Sequence, residues 1–180
     1  MLKIVIPETE QWDEKNQVFV ITKEQTLELE HSLATLSKWE SKWHKAFLSK
    51  QDKTDEEILD YIKCMTLTQN VNPEVYNCLT NEHMAQIEAY INDPMTATTF
   101  SEDKHGKPNR EVVTAEVIYH WMTTLNVPDR YDEWHLNRLI TFIRVCNIKN
   151  QPPKKMGTKA TASHYAALNA ARRKQYNSRG

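Results

Sequence analysis

Glycine occurs only three times in 180 residues, and that scarcity narrows the folds open to this chain more than any other feature. Phosphate-cradling loops and β proteins rich in tight turns need residues without a Cβ, because the backbone there passes through φ > 0 or approaches another group closely. A chain without them is expected to build helices joined by polar and proline-marked connections. The length suits one domain of ordinary size with a small appendage. A body of about 150 residues buries roughly two-thirds of its unfolded surface, so folding calls for no disulfide or metal staple.

Hydrophobic periodicity divides the chain. Leu2, Ile4 and Ile6 alternate with Lys3 and Val5 up to Pro7, which is the pattern of a half-buried strand. Residues 8–16 are polar and read as a turn, and Val18, Phe19, Val20 and Ile21 form a second strand candidate. Residues 26–30 alternate again and fit either a third strand or the first turn of the next helix. From Ser32 to Leu48 the period becomes helical, with Leu33, Leu36, Trp39 or Glu40, Trp43 and Phe47 on one face. Thr54 and Glu57 make a capping box for a second helix, with Ile58, Tyr61, Ile62 and Met65 on its inner side. Asn72-Pro73 starts a short helix through Leu79, and Thr80 caps another that stops at Asp93-Pro94.

Residues 96–100 and 111–114 are rich in β-branched side chains, and Gly106 and Pro108 lie between them, so a central hairpin is expected. Two further helices follow, over about 114–125 and 132–148. Pro152-Pro153 marks a stiff linker, residues 154–162 read as a basic loop, and residues 163–175 have an alanine-rich helical pattern. The expected architecture is an α+β domain over residues 1–148, mostly helical with a small N-terminal sheet, followed by a basic C-terminal extension over 149–180.

A net charge of −1 conceals a partition. Residues 1–148 hold 15 Lys+Arg against all 24 Asp+Glu, which leaves −9; residues 149–180 hold 8 Lys+Arg and no acid, which leaves +8. Such asymmetry points to a segment that meets an acidic partner or nucleic acid, or that neutralises its own body. Lys154, Lys155, Arg172, Arg173 and Lys174 are its densest cations.

The residues offer little catalytic chemistry. Glycine-rich phosphate motifs, nucleophile elbows and the H-E-x-x-H metal motif do not occur. The seven histidines never pair at the i, i+4 spacing that sets two imidazoles on one helix face, so no metal role is expected. Asp55, Glu56 and Glu57 fall in the first turn of a capped helix, where negative charge complements the macrodipole. Trp134 and Arg138 are spaced for an Arg–aromatic contact. Cys64, Cys78 and Cys146 sit singly among apolar residues and read as buried thiols of a reducing compartment. No apolar run reaches the roughly 18 residues of a membrane span. The expectation is a cytoplasmic binding protein without enzymatic activity, metal or cofactor. Trp39, Trp43 and Phe47, with Lys38, Lys42 and Lys45 beside them, form its leading aromatic stripe.

Several stretches taken together carry a resemblance: LEHSLATLSKWESKW (29–43), DYIKCMT (60–66), PMTAT (94–98), WHLNRLITFIRVCNIKN (134–150), PPKKM (152–156) and LNAARRKQYNSRG (168–180). In this order they resemble the tail assembly chaperones of bacteriophages with long flexible tails. The resemblance implies transient binding of tape measure or tail-tube proteins during virion morphogenesis, in the cytoplasm of an infected bacterium, with no cofactor. Trp39, Trp43 and Phe47, or Trp121 and Trp134, would then line docking faces. Two alternatives stand beside it. One is a permanent head–tail or tail component of the virion, and the other is a nucleic-acid-binding protein acting through residues 149–180.

Overall fold

The computed structural model describes residues 1–13, 17–100, 112–152 and 158–177. The chain opens with a β-ribbon. Strand β1 (Leu2–Ile6) pairs antiparallel with β4 (Gln25–Leu29), and β2 (Thr9–Asp13) with β3 (Val18–Thr22). The two ladders run in one register, Ile6 facing Gln25 and Thr9 facing Thr22. Pro7, which has no N–H to give to a ladder, stands at the break between them. The period-two pattern buries Ile4, Ile6, Leu27 and Leu29 and turns Lys3 and Val5 outward. Residues 9–13, expected to be part of a turn, are instead strand β2. The register set by β1 and β4 continues past the proline, so backbone pairing rather than hydrophobic alternation makes this strand.

The free edge of β4 is covered by the end of the second helix and the residues that follow it. Glu30 N–H donates to the Met65 carbonyl at 2.9 Å, Leu67 N–H to the Glu28 carbonyl at 2.8 Å, and Glu28 N–H to Thr68 Oγ1 at 2.8 Å. An edge strand is thereby closed against further pairing over this stretch.

Among the described residues, five helices complete this part of the chain: α1 (Leu33–Trp43), α2 (Asp55–Met65), α3 (Asn81–Asn92), α4 (Ala115–Thr124) and α5 (Leu136–Asn150). Short 3-10 turns at Pro73–Cys78 and Asp129–Glu133 precede α3 and α5. Ser32 caps α1, Thr54 and Glu57 form the expected capping box on α2, and Thr80 with His83 forms another on α3. Thr114 supplies no side-chain cap to α4. Glu40 of α1 replaces it: its buried carboxylate accepts the Ala115 N–H at 2.7 Å and, with its other oxygen, the Phe47 N–H at 2.8 Å. One acid thus fixes the start of α4 and the loop leaving α1.

The core is one cluster drawn from β1, β4 and all five helices, with Leu33, Leu36, Trp39, Ile62, Met65, Ile118, Leu136 and Leu139 among its closed members. Full burial of each such side chain contributes about 1.5–3 kcal/mol. The fold is α+β and mostly helical. The flanks of the expected central hairpin, residues 96–100 and 112–114, form no strand, and its turn at 101–111 lies outside the described residues. Thr96 Oγ1 instead accepts the Thr98 N–H at 3.1 Å, and Val113 packs against the core.

The chain separates into two units, Met1–Asn147 and Ile148–Gly180. The second contains α6 (Thr158–Tyr176), which starts five residues before the expected point, at residue 158 rather than 163.

Candidate functional site

The first unit carries an apolar groove of about 400 Å³ between α2, α3 and the loop after α1. Its making starts at the end of α1. His44 takes the left-handed conformation (φ 53°) and its N–H caps Glu40 O at 2.8 Å, which turns the chain sharply out of the helix. Glu40 then holds Phe47 by its backbone, and the Phe47 ring stacks on Tyr61 with centroids 3.8 Å apart. Trp39 meets Phe47 edge-on at 5.0 Å. Phe47, Tyr61 and Ile62 make the floor; Ile58 makes one wall, and Met84, Ile87 and Ile91, spaced i, i+3, i+7 along α3, make the other. Lys53, Glu88 and Asn92 supply the polar rim, and Lys53 Nζ lies 4.7 Å from the Phe47 ring centroid.

The expected aromatic stripe divides between core and groove, because α1 ends at Trp43 rather than at the expected Leu48 and Phe47 falls in the loop that follows. Trp39 is fully buried and donates its indole N–H to the Glu57 carbonyl at 2.9 Å. It is therefore not a partner-binding side chain, because α2 already covers both its ring and its one polar atom. Trp43 is half-buried, stacked on Trp39, and donates to Asp60 Oδ2 at 2.9 Å. Phe47 alone of the three reaches the groove. The neighbouring lysines are engaged as well: Lys42 pairs with Asp60 and Lys45 with the buried Glu57. The Lys45 bond, with the Thr54 N–H, draws the Glu57 carboxyl below its ordinary range. Burial alone would raise Asp60, but the bonds from Lys42 and Trp43 outweigh it and lower its pKa.

A second groove of about 460 Å³ lies between α4 and α5, lined by Trp121, Leu125, Ile140 and Ile143 and rimmed by His120 and Arg144. Trp134 is at neither groove. It stacks on Tyr131 at 4.0 Å, with the Arg138 guanidinium 4.2 Å from its ring, the pairing its spacing predicts.

The principal polar cluster is buried, and the sequence reading missed it. His31 Nδ1 and Tyr61 Oη are 2.6 Å apart, and the rings of His31 and His135 meet edge-on at 5.2 Å. His135 Nε2 donates to the Tyr90 carbonyl at 3.0 Å, and Tyr90 Oη donates to Glu30 Oε1 at 2.7 Å. With Nε2 as donor, His135 Nδ1 is a bare lone pair, and it has no hydrogen-bond partner among the described residues. Burial, with the neighbouring His135, brings the His31 pKa down to about 4. Burial also lowers His135, while the Tyr90 carbonyl, Glu30 and Asp93 pull the other way. Both imidazoles are thus held neutral. The cluster ties α2, α3 and the start of α5 to the connection between β4 and α1, since Leu136 N–H also donates to the His31 carbonyl at 2.7 Å. Only tertiary pairing joins these two histidines, so no local spacing could have signalled them.

Among the described residues no group of three or more His, Cys, Asp or Glu side chains is arranged to hold a metal, and no helix is long and apolar enough to cross a membrane. Cys64, Cys78 and Cys146 are half-buried rather than buried, and burial raises the Cys64 pKa.

In the second unit Arg172, Arg173 and Lys174 lie near the end of α6, and every residue from 162 to 177 is exposed. Lys154 and Lys155 lie outside the described residues. No protein-family model, curated protein or solved structure matches the chain.

Proposed function

We propose that this protein is a bacteriophage tail assembly chaperone or adaptor that holds other tail proteins, a tape measure or tail-tube protein foremost, during virion morphogenesis in the infected cell. The observation that supports this most is the groove between α2 and α3. Its floor is fixed by stacking and by Glu40, its α3 wall presents apolar residues at helical spacing, and charge is confined to its rim. Such a surface takes the apolar face of an amphipathic helix, read by anchors at i, i+3 or i+4, and i+7. The partner is accordingly a long helical protein with periodic apolar residues, which is the chemistry of an unassembled tape measure. The resemblance to tail assembly chaperones, carried by segments from residue 29 to residue 180, points the same way. The activity involves no catalytic step and no cofactor.

Two measurements test it together: a tagged pulldown from cells infected by the encoding phage, and mass spectrometry of the purified virions. Recovery of a coiled-coil-rich tail protein, with the chain absent from virions, is expected. Stoichiometric presence in virions would replace the chaperone with a permanent tail or head–tail component. Recovery of no tail protein would sink both readings.

A further inference from the structure

We infer that α6 is a binding element for duplex nucleic acid, engaging the phosphate backbone from within a groove and reading no sequence. This goes beyond the docking activity of the first unit and does not depend on it. Residues 149–180 contain eight Lys and Arg and no acid. The side chains of 162–177 are exposed without exception, Tyr165 and Leu168 among them, and the cations Arg172, Arg173 and Lys174 are open to a polyanion. Protein partners of the kind the first unit takes are held by burial; a polyanion is held by cations.

The placement of those cations favours a nucleic acid over an acidic protein face. Successive residues of a helix are about 100° apart, so Arg172, Arg173 and Lys174 sweep roughly 200° of the circumference within one turn. A flat acidic surface meets one side of a helix only. The major groove, about 12 Å wide, admits a helix about 10–12 Å across and places phosphates on both of its walls. Tyr165 and Tyr176, 61% and 72% exposed, add hydroxyl donors of the type that reach phosphate oxygens. The −9 balance of residues 1–148 repels a polyanion and confines attachment to the basic segment.

The test is fluorescence anisotropy of a labelled 20-base-pair duplex with the full-length chain across a potassium chloride series. Binding should be sequence-independent, with a dissociation constant on the order of 10⁻⁴–10⁻⁶ M at physiological salt, and should weaken steeply as salt rises. Each phosphate neutralised contributes about −0.9 to the slope of log affinity against log salt. The combined variant Arg172→Ala, Arg173→Ala, Lys174→Ala should therefore flatten the slope by about 2.7. Circular dichroism should show its helix content kept, because alanine is the best helix former. The charge-conserving variant Arg172→Lys, Arg173→Lys should retain the slope, and Ile58→Asp in the first unit should leave it unchanged. Absence of duplex binding at low salt would overturn the proposal. So would an unchanged slope in the triple variant. Polyglutamate binding as tight as the duplex would also overturn it, assigning the segment to an acidic protein instead.

Discussion

Helix α1 has 11 residues and α6 has 19, yet it is the shorter one that the fold fixes. α1 begins at a serine cap, ends in a left-handed residue that closes its last turn, and buries Leu33, Leu36, Trp39 and Glu40. Its two tryptophans give their indole protons to α2. α6 is exposed over all of its described side chains. What favours it is alanine propensity and the placing of Arg173 and Lys174 in its last turn, where cations complement the helix dipole. Length adds little, since isolated helices in water are marginal below about 12–15 residues and only modestly better beyond. Burial builds the first unit, and local helix propensity builds α6. One makes a shaped surface, and the other makes an electrostatic one.

This contrast breaks most readily at Trp39. Trp39→Ala should cost about 3–5 kcal/mol of global stability, because it empties a fully buried site and removes the indole bond to the Glu57 carbonyl. Arg172→Ala should change it by less than about 0.5 kcal/mol. Urea unfolding of both variants checks this, and equal effects would erase the distinction between the helices.

Acid should act on the same unit. His31 is neutral in the fold with its pKa held to about 4. A depressed pKa favours folding above the ordinary histidine value near 6.5, and that stabilisation is lost as pH falls from there toward 4. The loss is about 3 kcal/mol for His31, with His135 adding in the same direction against the opposing pull of Glu30 and Asp93. Carboxylates also lose stability in acid, so the relevant quantity is the difference from His31→Gln, which keeps a hydrogen-bonding partner for Tyr61. If the two proteins lose stability in parallel between pH 6.5 and 4, the buried pair is not the source.

Glu40→Ala should cost about 2 kcal/mol, by leaving the Ala115 and Phe47 N–H groups without their acceptor. It should also loosen the groove. Loss of the Phe47–Tyr61 stacking, visible as ring-current shifts of the Tyr61 resonances, would accompany the fall in stability. The smallest effect belongs to α6. Ala170→Gly should weaken that helix by about 1 kcal/mol. Amide exchange over residues 158–177 should then quicken while the urea midpoint stays in place.

Much of this architecture was legible locally. Alternation found β1, the apolar run 18–21 found β3, the Thr54–Glu57 spacing found the cap of α2, and the i, i+3 pattern found α1 and its buried face but carried the helix on to Leu48, past its end at Trp43. What failed to show was set by distant partners. Strand β2 is polar in sequence and exists because the ribbon continues in register. Glu40 stood on the apolar face of α1 as an ambiguity with Trp39, and only α4 explains why a carboxylate belongs there. His31 and His135 meet through a bridge between Ser32 and His135, which no periodicity encodes. Of the aromatic stripe, Trp39 was legible as an apolar position but not as a closed one. A helix wheel gives the face, while the helix packed against it decides what stays open.

The most direct test is a pulldown from infected cells with two variants beside the wild type. Ile58→Asp alters an exposed position on the groove wall; Arg172→Ala, Arg173→Ala, Lys174→Ala strips the charge from α6. The first should lose the coiled-coil-rich tail protein and the second should keep it. Loss of that protein from the second variant, with full recovery by the first, would contradict the assignment of docking to the groove.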